Sequence, residues 1–239
     1  MIKPVYHYLT YNGKNSLDFK AHISGGGTFA SPERDVERFE VPGRSGDLII
    51  DNGKFKNTTV TYSTFITKDF EANITALRSF LLQDYGYHRL EDTYHPQEFR
   101  MAAFKGPLDP DVYMCEYGTF TLEFDCMPQR WLKSGENAMQ ISAGETVKIW
   151  NPTKFKAKPL FSVGSTGKFY INGTEIQVTA NSGGLIIDSD LEECYEGTTN
   201  RNADVSFSNY RFPELIPGEN SIQTDSGMYI QLTPRWWYV

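Results

Sequence analysis

The feature that most constrains this chain is the alternation of apolar and polar residues within short segments. Residues 117–128 read YGTFTLEFDCMP, in which every second residue from Phe120 to Cys126 is apolar and the residues between them are polar. A period of two positions is typical of a β-strand with one buried face, because successive side chains point to opposite sides of the backbone. Similar runs, separated by Gly, Asn, Asp and Pro, fill most of the sequence. The pattern predicts antiparallel sheets joined by turns.

Further strands are predicted in the first half of the chain. Residues 56–66, KNTTVTYSTFI, alternate in the same way. The preceding Asn52-Gly53 pair is typical of a two-residue hairpin turn, since both residues tolerate a positive φ. A strand ending near Ile50 is therefore expected to pair with one beginning near Phe55. Residues 87–104 are expected to form two strands around a polar turn.

A single segment has helical periodicity. In DFEANITALRSFLLQDYG, apolar residues recur at the spacing of one helix face, at Phe70, Ile74, Leu77 and Leu81. Asp69 is the expected N-cap and Gly86 the expected stop signal. The pattern predicts a helix over about residues 69–85 that packs against a sheet.

The composition changes after Trp131. Residues 133–138, KSGENA, are polar and typical of a turn or linker, and the segments beyond them are short strands at the spacing of a sandwich. Asn172-Gly173 again predicts a tight hairpin. We therefore expect a mainly β protein of two domains. Residues 1–133 would form a β-sandwich-like domain with one α-helix, and residues 134–239 a second β-sandwich.

The bulk properties exclude several classes of protein. The chain has 239 residues, a net charge of −7 and 39% hydrophobic residues, as in a soluble globular protein. Nucleic-acid binding is not expected, since phosphate contacts need clustered Lys and Arg. No run approaches the ~20 apolar residues of a membrane span, and the first residues lack the apolar core of a signal peptide. Cys115, Cys126 and Cys194 are expected to be reduced core residues of a chain that folds in a cytoplasm.

The stretch VPGRSGDL, residues 41–48, is the most suggestive of a site. A hydrolase elbow needs G-x-S-x-G between a strand and a helix, and the spacing around Ser45 does not fit. A phosphate loop needs a Lys-Ser/Thr ending and a following helix, which are also missing. We interpret the stretch as a shaped turn, in which Pro42 fixes φ and the glycines adopt conformations closed to other residues. Polar contacts within or between subunits are expected from Arg44 and Asp47, and the predicted site comprises Pro42, Gly43, Arg44, Gly46 and Asp47.

No catalytic, metal or cofactor site is predicted elsewhere. The four histidines show no metal-ligand spacing. Three pairs of carboxylates invite a glycosidase or calcium-binding interpretation, but a solvated turn is the preferred explanation for each of Glu91-Asp92, Asp188/Asp190 and Glu192-Glu193.

The aromatic residues allow two interpretations. Trp150, Trp236 and Trp237 on a β-sandwich suggest either stacking on a sugar or contact with a neighbouring subunit. Alternation in the last strand places Trp236 and Trp237 on opposite faces, so at least one is expected in the core. The other would be an exposed interface aromatic, and a subunit contact is preferred over a glycan.

Several of these segments together resemble siphophage distal tail proteins. In the first half, VPGRSGDL is followed by DNGKF and a Thr/Val-rich strand, by a helix that carries Phe80-Leu81-Leu82 near its end, and by the closing strand FTLEFDCMP. In the second half, GLIIDS at 184–189 and FPELIPGENSI at 212–222 resemble the galectin-like sandwich of these proteins. The resemblance covers most of the chain.

The resemblance implies a structural protein of the virion. It implies a first domain that assembles into a homohexameric ring at the tail tip and joins the tail tube to the tail-tip or baseplate proteins. The genome would pass through this ring, with no cofactor and no membrane insertion, and assembly would occur in the cytoplasm of the bacterial host. The alternatives are a carbohydrate-binding module that contributes to host-surface adhesion and an enzyme acting on cell-wall glycans. The enzyme would need two carboxylates about 5–9 Å apart in a cleft.

Overall fold

The computed structural model describes residues 7–27, 29–113 and 116–239, and Cys115 lies outside this part of the chain. Its described residues form many β-strands and one α-helix, so the predicted mainly β fold class is confirmed. The chain divides into two compact units, residues 1–130 with Val239 and residues 131–238.

The first unit is built around one large antiparallel sheet. The elements are β1 Leu9–Tyr11, β2 Lys14–Asn15, β3 Ala21–Ser24, β4 Arg34–Phe39, β5 Leu48–Phe55, β6 Thr58–Ile66, α1 Phe70–Leu82, β7 His88–Asp92, β8 Glu98–Phe104, β9 Asp111–Tyr113, β10 Tyr117–Cys126 and β11 Arg130–Leu132. The strands of the large sheet run in the order β2-β1-β7-β8-β10-β6-β3, with β9 paired to β10, while β4 and β5 form a separate two-stranded sheet. A 3-10 helix at Ser16–Phe19 connects β2 to β3.

The two strands with the clearest alternation lie side by side. β6 and β10 pair along their whole length, from Thr58 opposite Cys126 to Ile66 opposite Gly118. Val60 and Tyr62 of β6 are buried on the core face, and so is Leu122 of β10, which pairs with Tyr62. The residues between the buried positions of each strand face outward. The predicted strands and their faces are therefore confirmed.

The predicted helix is confirmed with Asp69 at its N-cap position, and its C-terminal end differs from the prediction. The four residues of its expected apolar face are buried: Phe70, Ile74, Leu77 and Leu81. Asp69 precedes the helix with a φ of 50°, and its side chain makes no capping hydrogen bond. The helix ends at Leu82 rather than at Gly86, with Gln83 still in the right-handed helical region.

The second unit is a sandwich of two antiparallel sheets. Its strands are β12 Met139–Ile141, β13 Thr146–Asn151, β14 Leu160–Val163, β15 Gly167–Ile171, β16 Thr174–Val178, β17 Leu185–Asp188, β18 Glu193–Glu196, β19 Thr199–Asn200, β20 Val205–Phe207, β21 Gly218–Thr224 and β22 Ile230–Thr233, with 3-10 helices at Lys133–Glu136 and Asn202–Asp204. One sheet has the order β12-β22-β14-β17-β18-β19 and the other β13-β21-β15-β16-β20, and the last strand, β23 Trp237–Tyr238, belongs to neither. Inward-facing residues of both sheets form one buried cluster that includes Phe161, Phe169, Ile187 and Ile222.

The second predicted hairpin turn is confirmed. Ile171 of β15 pairs with Thr174 of β16, and the connecting Asn172 and Gly173 have φ values of 50° and 83°. Positive φ at both central residues is the requirement that makes Asn-Gly typical of such turns.

The two cysteines that the structure describes, Cys126 and Cys194, are fully buried and free. Burial raises the pKa of each thiol to about 12. Both are therefore core residues, as predicted. Within the described ranges, no helix has the length and apolar character required to span a bilayer.

Candidate functional site

The predicted turn VPGRSGDL connects β4 to β5 at the tip of an exposed hairpin. The backbone N–H of Arg44 donates to the carbonyl of Val41 at 3.1 Å, which closes a four-residue turn. Pro42 occupies the second position of this turn, and Gly43 occupies the third with a φ of 79°. Pro at the second position and a positive φ at the third define a type II turn. The type II turn therefore explains why Pro stands at position 42 and Gly at position 43.

The second half of the loop also depends on glycine. Gly46 has a φ of 85°, and no atom lies within 4 Å of the position of an added Cβ. The side chains of Arg44 and Asp47 are exposed and make no hydrogen bond or ion pair with the described residues. The bend is thus fixed by backbone geometry, and both charged groups remain available to a neighbouring molecule.

The Asn52-Gly53 pair does not form a hairpin turn, so that prediction was wrong. Both residues lie inside β5, which pairs with β4, and the register shifts between Arg34 opposite Phe55 and Val36 opposite Asp51. Gly53 has a φ of 73° and forms a β-bulge, which uses the same positive-φ tolerance as a tight turn.

A short polar network fixes the bulge. The Gly53 N–H donates to Asp51 Oδ1 at 2.9 Å, and Arg34 Nη1 donates to Asp51 Oδ2 at 2.7 Å. The hydrogen bond from Gly53, with the nearby charge of Arg34, holds the pKa of Asp51 below its ordinary value. These groups are exposed, so the ion pair itself stabilises little.

Both faces of the hairpin carry exposed apolar side chains. Leu48 and Ile50 point to one side of β5, and Ile49 points to the other. Their exposures are 44%, 46% and 56%, and Phe39, directly opposite Leu48, is 46% exposed. An isolated two-stranded hairpin is marginally stable in water, and exposed apolar patches mark interaction sites. The hairpin, defined as residues 34–55, is the strongest candidate for an interaction surface.

The aromatic residues at the end of the chain are less exposed than expected. Trp236 is only 5% exposed and belongs to the core of the second unit, which confirms that at least one of the two tryptophans is a core residue and removes Trp236 from the candidate interface. Trp237 is half-buried: its ring stacks on Phe155 with centroids 4.6 Å apart, and its Nε1 donates to the Lys156 carbonyl at 3.0 Å. Trp150, on edge strand β13, is 68% exposed.

The carboxylates interpreted as solvated turns include one buried and one partly buried group. Asp188 is 3% exposed and forms a fork with Arg235, with Oδ1–Nη1 and Oδ2–Nη2 distances of 2.7 and 3.0 Å. Asp92 lies in β7 and accepts a hydrogen bond from Tyr62 at 2.7 Å. The solvated-turn prediction was wrong for both. Each acts as a structural group within a satisfied network.

The described residues contain no group of three or more His, Cys, Asp and Glu side chains arranged to hold a metal ion. The hairpin combines a loop of fixed backbone geometry, the exposed charges of Arg44 and Asp47, and the exposed apolar side chains of β5. Such an arrangement can bind another macromolecule.

Comparisons with known proteins identify the fold. No family model matches the chain, and no curated protein matches it in sequence. The crystal structure of SPP1 Dit matches with a TM-score of 0.71 over 98% of this chain and 99% of that one, at 11% sequence identity. SPP1 Dit is described as a paradigm of the hub adsorption apparatus in phages that infect Gram-positive bacteria. The chain therefore has the fold of a phage Dit protein along its whole length, as the resemblance to distal tail proteins predicted.

Proposed function

We propose that this chain is a distal tail protein of a long-tailed phage or prophage and acts as a structural hub. The observation that carries the proposal is the full-length fold correspondence with SPP1 Dit, which includes both units. The first unit would form a ring, the homohexamer expected from the resemblance, between the tail tube and the tail-tip or baseplate proteins. The second unit would be a galectin-like sandwich. The protein would be part of the virion and would have no catalytic role.

The hairpin supports the assembly part of this proposal. A monomer would leave the apolar residues of β5 in water on both faces. Contact with a neighbouring copy removes this apolar surface from water, at roughly 25 cal/mol for each Å² buried. The loop that contains Arg44 and Asp47 would lie at the border of the same contact, where charged groups set orientation.

The test is the oligomeric state of the full chain across a wide range of concentration. Mass measurement in solution and negative-stain imaging are expected to show a closed six-membered ring. A chain that stays monomeric at every concentration would contradict the ring.

Ile49→Lys is expected to weaken assembly by at least tenfold, because a charged group would have to be buried in the subunit contact. Leu82→Lys is the matched control, since Leu82 is 62% exposed at the end of α1 and is not part of the hairpin. If the two variants assemble equally well, the hairpin is not part of the subunit interface.

A further inference from the structure

A second surface feature lies in the sandwich unit, apart from the hairpin. Loops at one end of the sandwich enclose a cleft of about 720 Å³. Its walls come from the chain after β13, the β15–β16 turn, the loop after β17 and residues 209–216. This volume is in the range of small-ligand sites, which are about 300–1,000 Å³.

The loop at residues 207–216 places an aromatic residue at the cleft on a constrained backbone. Tyr210 is 95% exposed and has a φ of 57°, which is uncommon for an aromatic residue. Its backbone N–H donates to the Phe207 carbonyl at 3.0 Å, and the Asn209 side chain accepts from the Arg211 N–H at 3.1 Å. Strained conformations of this kind cluster at binding sites.

Both ends of this loop are anchored. The ring of Phe212 packs against Phe207 with centroids 4.6 Å apart. Leu215 and Ala157 exchange two backbone hydrogen bonds of 2.9 Å, and both residues are fully buried. The backbone that carries Tyr210 is therefore anchored on both sides, and little backbone entropy would be lost when a ligand stacks on its ring.

The charges of the cleft nearly cancel. Lys156 pairs with Glu214 at 2.8 Å, and Lys158 lies 3.7 Å from Asp190. The remaining charged side chains that line the cleft are Arg211 and Glu192, one of each sign, and neither makes a hydrogen bond or ion pair with the described residues. Both lysines already lie beside a carboxylate, so a polyanion would find only Arg211 uncommitted and would meet the negative charge of Glu192. The cleft favours an uncharged ligand that both donates and accepts hydrogen bonds.

We propose that this cleft binds a neutral oligosaccharide. The apolar face of a sugar ring would stack on Tyr210, and its hydroxyl groups would donate to the carboxylate of Glu192 and accept from the guanidinium of Arg211. The Asn209 amide lies beside them in the lining. This activity goes beyond the proposed hub role, since it concerns a different unit and does not require a ring.

The experiment uses the full chain and a glycan array with neutral, phosphorylated and sialylated oligosaccharides. The neutral oligosaccharide that gives the highest signal is then titrated by calorimetry. Saturable binding to neutral members is expected. Tyr210→Ala and Arg211→Ala are each expected to weaken it by at least tenfold, with the thermal unfolding of the variants unchanged.

Tyr229→Ala is the matched control, because Tyr229 is also exposed in the sandwich unit, at 56%, and does not line the cleft. It is expected to bind like the unchanged chain. The proposal is overturned by any of three results: no saturable binding to any neutral oligosaccharide, a preference for charged ones, or equal binding by the Tyr210 and Tyr229 variants. The oligomeric state is measured separately, so failure here leaves the hub proposal standing.

Discussion

Asp188 shows at the scale of one residue how the sandwich unit fixes a buried charge. Besides the fork from Arg235, the N–H groups of Asp190 and Leu191 donate to its Oδ1 at 2.9 and 3.3 Å. Burial alone would raise the pKa of Asp188, but the hydrogen bonds and charge of Arg235 outweigh it and lower the pKa below its ordinary value. The carboxylate is therefore charged in the folded protein at neutral pH, and its stabilisation depends on Arg235.

Asp188→Asn is expected to lower the free energy of unfolding of the second unit by about 3 kcal/mol at pH 7, because it leaves the partly buried guanidinium of Arg235 without its counter-charge. The folded-state pKa of Asp188 lies below its unfolded value of about 3.9. The stabilisation is thus fully present above that pH and is lost as the pH falls through the folded-state pKa. Denaturant titrations at pH 7 and near pH 3 should show the difference from the unchanged chain narrowing in acid.

Asp190→Asn provides the control for this measurement. Asp190 approaches Lys158 at 3.7 Å, but about half of its side chain is exposed. Its removal should cost less than about 1 kcal/mol at either pH. Equal effects of the two substitutions would contradict the structural role of the Asp188 fork.

At the scale of elements, α1 is positioned by a close approach to β10. A Cβ added at Gly118 would lie 2.5 Å from Phe70 Cε2 and 2.7 Å from the carbonyl oxygen of Asp111 in β9. The first residue of the helix and the edge strand thus both pack over a position that has no side chain.

Gly118→Ala is expected to destabilise the first unit by about 1–3 kcal/mol, because the helix or β9 must shift to admit the methyl group. Gly26→Ala is the control, since an added Cβ there has no neighbour within 4 Å and the φ of Gly26 is not positive. Chemical denaturation of both variants checks the prediction, and an unchanged midpoint for Gly118→Ala would contradict it.

The elements predicted correctly are those whose periodicity reflects one buried face. β6, β10 and α1 each pack one side against the same core, so their burial repeats every two residues or along one helix stripe. Asn52-Gly53 was assigned wrongly because tolerance of positive φ serves a bulge as well as a turn. The local sequence does not distinguish a bulge from a hairpin turn at this pair, because the difference depends on which strands pair.

Two features of the sites carried no local signal. Leu48-Ile49-Ile50 is an apolar run of the kind that predicts a buried strand, yet it is exposed in this chain. The burial of Asp188 depends on Arg235, which is distant in sequence and approaches only in the folded sandwich. In both cases the burial of a side chain depends on residues that are distant in sequence or belong to another molecule, and the local residue pattern does not predict these contacts.

At the scale of the whole molecule, the two units have separate cores, each with one of the described free cysteines. Cys126 and Cys194 are fully buried, and burial raises the pKa of both thiols to about 12. Because the thiolate is the reactive form, neither should react with iodoacetamide in the native protein. Mass spectrometry along a denaturant series should show each cysteine become labelled as its own unit unfolds. Labelling of either in the native state would contradict the packing described.

Assembly provides the second prediction at this scale. Arg44→Ala is expected to weaken ring formation by about tenfold, or ~1.4 kcal/mol, without changing thermal unfolding of the monomer, because Arg44 has no partner among the residues described in its own chain. Arg78→Ala, at an exposed position on α1, is the control. Sedimentation velocity over a concentration series measures the effect. If Arg44→Ala assembles as readily as Arg78→Ala, the loop lies outside the contact.

The opposite orientations of Ile49 and its two neighbours limit how the hairpin can be covered. A single flat partner shields either the side with Leu48 and Ile50 or the side with Ile49, and leaves the other in water. Complete burial of these side chains requires either one partner with a groove that contacts both faces of the hairpin or two molecules that each contact one face. In the proposed assembly, the hairpin would therefore contact partners on both of its faces.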